Sequence, residues 1–204
     1  MFEAKRLIGA LASHNPAPKL VGDEMEKQPD FAKKFDWTDQ ARVHKAITEL
    51  TAHAEQAWPD LLDSLDDKRY AITYMIFDSG YNLDVGDVCR EIILDWLAAG
   101  YVPHVPPATR KGVQAKVMRT AVVGYEKVKG WCLHRKGKKL YELQIEICEN
   151  SIGWIQGITD APAEERRASI RAIRAQIKSL HADKKPRAPE RFLAGEYAKL
   201  YGPR

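Results

Sequence analysis

The sequence has little of what usually announces chemistry. Its 204 residues contain three cysteines, Cys89, Cys132 and Cys148, an odd number with no close pair. That excludes a disulfide framework and a four-cysteine zinc site, and it points to a reducing cytoplasm. No apolar run reaches the roughly 18 to 20 residues that span a bilayer, so no membrane contact is expected. The N-terminus sets Glu3 beside Lys5 and Arg6 ahead of a short apolar segment, which reads as a helix rather than a signal peptide. There is no glycine-rich phosphate loop and no dinucleotide fingerprint. The nearest approach to a nucleophile elbow, Asp78-Ser79-Gly80, lacks the second glycine. Internal repeats and low-complexity tracts are absent too.

Potential ligands for a metal are equally thin. Asp78, Asn82, Asp84 and Asp87 gather around a turn, but no bidentate acid stands at the twelfth place of a calcium loop, and helix capping accounts for Asp84 and Asp87. Cys132 and His134 are a sulfur and imidazole pair where structural zinc wants four such ligands. His44 and His53 are nine residues apart on one predicted helix. The paired acids Asp66-Asp67 and Glu164-Glu165 fall at helix ends. No catalytic, cofactor-binding or metal residue is therefore assigned, and no cofactor is expected. A small enzyme whose site is assembled from distant residues, leaving no local motif, is the third class of function considered.

What the chain does have is a divided charge. Residues 1–107 hold 11 Lys/Arg against 18 Asp/Glu, whereas residues 108–204 hold 21 against 10. Residues 108–139 alone carry 10 basic groups and a single acid, Glu126. Such a dipolar chain can attract an anionic partner to one end or pair head to tail with another copy of itself.

Apolar periodicity predicts a mainly α fold, a bundle of about six to eight helices with a long antiparallel helical hairpin in the C-terminal half. Phe2, Ala4, Leu7, Ile8 and Leu11 form a first stripe, stopped at Asn15-Pro16. Residues 19–37 read as an irregular connection tethered by Phe31, Phe35 and Trp37. Thr38 is expected to cap a helix carrying Val43, Ile47, Leu50, Ala54 and Ala57, ended by Pro59, with a short helix bearing Leu61, Leu62 and Leu65 beyond it. Tyr70 to Phe77 has strand propensity, but no second strand is evident for it, so it is read as a helix ended by Gly80. Asp84 and Asp87 resemble a capping box for a helix with Val85, Cys89, Ile92, Ile93, Trp96 and Leu97 on one face. After the prolines of residues 101–108, Val113 to Cys132 and Leu140 to Ile155 supply the two hairpin stripes, and Ile170, Ile173, Ile177 and Leu180 supply a third helix. The expected organisation is an acidic helical part over 1–107, a basic hairpin plus third helix over 108–181, and a linker with a C-terminal aromatic helix over 182–204, folded as one compact domain with a tail.

Two regions are candidates for binding. Lys127, Lys129, Arg135, Lys136, Lys138 and Lys139 crowd Trp131 at the corner of the hairpin, where they could hold phosphates while the indole stacks on a base. Cations at a helix C-terminus are favourable without any ligand, which is the structural reading of the same residues. Arg167, Arg171 and Arg174 add a second basic set. Phe192, Leu193, Tyr197, Leu200 and Tyr201 form an aromatic face after a polar linker, suited to a protein partner. The sequence thus favours a non-catalytic helical adaptor or accessory subunit that binds another protein or itself, with nucleic-acid binding through the hinge as the alternative.

Overall fold

A computed structural model describes residues 2–23, 26–76, 79–99, 127–157, 159 and 162–189. The chain forms two compact units, one within residues 1–93 and one within 94–190.

The first unit opens with α1 (Ala4–Gly9), whose Leu7 and Ile8 are buried. Two three-residue strands follow, β1 (Lys19–Val21) and β2 (Gln28–Asp30), paired antiparallel. Gly22 lies between them at φ +127, a conformation that L side chains rarely adopt. Helices α2 (Trp37–Ala52) and α3 (Ala54–Asp63) bury Val43, Ile47, Leu50, Ala54, Ala57 and Leu61. A second hairpin pairs β3 (Tyr70–Ile76) with β4 (Ser79–Asp84), with an irregularity between Tyr70 and Ile72. The hairpins meet where the Gly80 N–H donates to the Lys27 carbonyl at 2.6 Å and the Lys27 N–H to Ser79 Oγ at 3.3 Å. Strand β4 runs directly into α4 (Val85–Ala99). As the sequence implies, a reciprocal capping box starts that helix: the Asp87 N–H donates to Asp84 Oδ1 at 2.7 Å and the Asp84 N–H to Asp87 Oδ2 at 3.3 Å.

The second unit contains the end of α4, then α5 (Val128–Leu133), a turn in which Gly137 takes φ +106, α6 (Leu140–Gly157) and α7 (Ala163–Asp183). Lys184, left-handed at φ 50, terminates α7. Cys148 and Ile155 of α6 meet Ile173 of α7, with Ile152, Trp154, Ile170 and Ile177 packed around them. The stripe on α7 is thus the face it lays on α6. Gln144, fully buried, clamps the segment after α7. Its Nε2 donates to the carbonyls of Trp96 (2.6 Å) and Arg187 (2.8 Å), and its Oε1 accepts from the Arg187 N–H at 2.8 Å.

Several expectations need correction. The fold is not a pure helical bundle and the protein is not all-α: seven helices and two antiparallel hairpins appear among the described residues, a mixed α/β architecture. Tyr70 to Ile76 is a strand because Ser79–Asp84 pairs with it. That partner is too polar to show as a strand, and side chains reinforce it: Thr73 Oγ1 donates to Asn82 Oδ1 at 2.7 Å, and Asn82 Nδ2 donates to the Pro18 carbonyl at 2.8 Å. Part of the supposed connection over 19–37 is the β1–β2 hairpin. Asp36, not Thr38, caps α2, its Oδ1 accepting from the Thr38 and Asp39 amides at 2.8 and 3.1 Å. The first long helix breaks at His53, and Pro59 sits inside α3 on an exposed side shared with Glu55. The hairpin stripe over 113–125 lies outside the described residues. Among the described residues, no helix is long and apolar enough to cross a membrane.

Candidate anion-docking surface

The hinge cations divide into two groups once their partners are identified. Arg135 lays its guanidinium 4.1 Å from the centroid of the Trp131 ring. The same group donates from Nε to Glu146 Oε1 at 2.7 Å, pairs with that oxygen through a second nitrogen, and donates to the Trp131 carbonyl at 3.1 Å. Lys138 Nζ donates to Glu146 Oε2 at 2.9 Å. The hydrogen bonds from Arg135 hold the Glu146 carboxyl below its usual range against partial burial, and Lys138 adds to the effect. Arg135 and Lys138 are therefore committed to an internal acid, and one face of Trp131 carries a cation of the chain itself. At Lys139 the backbone N–H donates to Glu142 Oε2 at 2.6 Å, as at a helix start. Lys129 is half-buried, while Lys127, Lys136 and the Lys139 side chain are exposed.

Helix α7 is different. Arg167, Arg171, Arg174 and Lys178 are all exposed at spacings of four, three and four, one stripe about 16 Å long at 1.5 Å per residue. None of the four has a carboxylate partner among the described residues. Like charges at such spacings weaken an isolated helix by roughly 0.2 to 0.5 kcal/mol per pair, so the row is retained at a cost. His181 continues the stripe and lines a groove of about 550 Å³ whose other walls are Lys138, Tyr141, Glu142, Ile145, Glu146 and Glu149. Glu142, Glu146 and Glu149 repeat at four and three on α6 and share this groove with His181. The hinge cations stand out in the sequence and Glu146 does not; its place among Glu142 and Glu149 at helical spacing is the signal available there.

A second polar cluster, in the first unit, has the residue types of a hydrolase but not the geometry. Asp39 accepts from Ser13 Oγ at 2.7 Å, the His14 N–H at 2.7 Å, and Arg42 Nε at 2.9 Å, and His14 Nδ1 stands 3.1 Å away. Burial opposes ionisation of Asp39, but the bonds from Ser13, Arg42 and the His14 amide together with the Arg42 charge outweigh it and leave the carboxyl below its usual range. Ser13 Oγ donates its hydrogen bond to Asp39 rather than to the His14 ring, so no serine–histidine nucleophile pair forms here. Arg42 also donates to the Ala10 and Ala12 carbonyls at 2.6 and 2.8 Å. The cluster staples the end of α1 to α2.

Burial pushes the thiols of Cys89, Cys132 and Cys148 up to about 12, which removes them as nucleophiles at neutral pH. Phe192, Leu193, Tyr197, Leu200 and Tyr201 lie outside the described residues. No family model matches the chain, and neither the curated proteins nor the solved structures contain a significant match.

Proposed function

We propose that the chain is a non-catalytic interaction protein that docks an acidic protein surface on the exposed face of α7. The row Arg167, Arg171, Arg174 and Lys178 carries this reading, because four cations one turn apart have no counter-charge among the described residues. A face that needed only solvation would be served by mixed signs, which stabilise a helix instead of straining it. Three of the four are arginines, whose planar forks match carboxylates. An acidic helix presents carboxylates at the same pitch of about 5.4 Å.

Nucleic acid is the second reading, since guanidinium groups suit phosphates equally. It is disfavoured by Trp131, one face of whose ring is already covered by Arg135. The test is retention of the full chain on immobilised polyglutamate at low salt, with a short DNA duplex in parallel. Arg171→Glu/Arg174→Glu should abolish retention. Unchanged retention of that variant refutes the reading. Tighter binding to the duplex, falling steeply as salt rises, transfers the site to nucleic acid.

A further inference from the structure

We infer that the acidic surface taken up by α7 is α3 of a second copy of this chain, an inference that rests on the α7 reading above. The two segments are electrostatic opposites. From Arg166 to Ala182 the chain carries five Lys/Arg and no acid, whereas from Ala54 to Asp67 it carries five Asp/Glu and no base. On α3, Glu55 and Asp63 are exposed and Asp60 is half-buried, and none of the three is paired with a cation among the described residues. Asp60 and Asp63 stand three residues apart, the spacing of Arg171 and Arg174, so both pairs present their charges one helical turn apart. Glu55 to Asp63 spans about 12 Å along its axis, within the roughly 16 Å of the cationic row.

Asp60 and Asp63 on α3, and Arg167, Arg171, Arg174 and Lys178 on α7, stand beside like charges and form no ion pair among the described residues, so contact between copies relieves both repulsions while adding attraction. The contact joins two different patches. It is therefore heterologous, and it propagates into a ring or an open chain rather than closing as a two-fold dimer. Because exposed charges are screened beyond about 8 to 10 Å at physiological salt, the assembly is one that salt dissolves.

Sedimentation velocity and light scattering on the full chain test this at about 0.05 M and about 0.5 M salt. The expected result is a mass that rises with concentration at low salt and returns to that of one chain at high salt. Asp60→Lys/Asp63→Lys and Arg171→Glu/Arg174→Glu should each remain single chains, and an equimolar mixture of the two should associate again. Circular dichroism checks their folding, and Asp60→Asn/Asp63→Asn with Arg171→Gln/Arg174→Gln serve if a reversal unfolds the protein. A wild type that stays a single chain at low salt yet is retained on polyglutamate overturns the self-docking and leaves the α7 reading standing. Absence of both overturns both. Association indifferent to the α3 substitutions removes α3 as the occupant.

Discussion

Replacing Gln144 with leucine keeps most of the side chain's bulk and removes three hydrogen bonds at once. The wild-type amide reaches the Trp96 carbonyl at 2.6 Å and the Arg187 carbonyl and N–H at 2.8 Å each. The Trp96 bond is buried, so its orphaned carbonyl costs about 1 to 3 kcal/mol. The two Arg187 groups are part-buried and recover some solvation, leaving about 0.5 to 1.5 kcal/mol each. Leucine returns about 1 kcal/mol through its apolar surface, which leaves a net loss of about 1 to 5 kcal/mol. With a urea dependence of about 2 kcal/mol per molar, the midpoint should fall by about 0.5 to 2.5 M. Amide exchange supplies a local readout, because the Arg187 N–H is held by Gln144 Oε1 and should exchange at least about tenfold faster in the variant. A midpoint shift below about 0.3 M together with unchanged Arg187 exchange would refute the clamp.

Gly86→Ala should destabilise the protein by about 1 to 3 kcal/mol in thermal unfolding despite alanine's better helix propensity, because the new Cβ would stand 2.4 Å from the Leu65 carbonyl oxygen and 2.8 Å from its carbon. A stabilised variant would contradict that close approach. The Asp39 carboxyl is held below its usual range, so its contribution is fully present above the unfolded value of about 3.9 and is lost as pH falls through the lowered folded one. Asp39→Asn should therefore flatten the fall in urea midpoint between about pH 5 and pH 2, and identical acid profiles would count against the Ser13, Arg42 and His14 contacts.

Long amphipathic helices were legible because their stripes are redundant: Val43, Ile47 and Leu50, or Ile170, Ile173, Ile177 and Leu180, each repeat the same phase and are buried or half-buried in the fold. The Asp84 and Asp87 box was legible because both halves of its chemistry are local. Strand β4 was not, since Ser79–Asp84 is polar and its pairing rests on backbone bonds and on Thr73 meeting Asn82. Three-residue strands such as Lys19–Val21 hold too few side chains to show a period. The choice of Asp36 over Thr38 as cap was made at a distance. Asn15 grips the Asp36 backbone through both a donated and an accepted bond, at 2.8 and 2.7 Å, from 21 residues away. The hinge cations stood out by composition, but the neutralisation of Arg135 and Lys138 by Glu146 depends on how the Gly137 turn returns α6 to α5. The α7 row was visible as charge, whereas its lack of ion pairs among the described residues required the fold.

The direct junction of β4 and α4 makes hairpin and helix a geared pair. Strand β4 ends at Asp84 and α4 begins at Val85, with no loop residue to absorb a mismatch. Sliding the hairpin by one residue would exchange the two faces of the strand and turn the helix by about 100°, carrying Cys89, Ile92 and Ile93 away from the interior they now occupy. The irregularity between Tyr70 and Ile72 then acts as a detent, one notch that fixes strand register and helix phase together. An insertion at the junction would therefore have to reset strand register and helix phase at once.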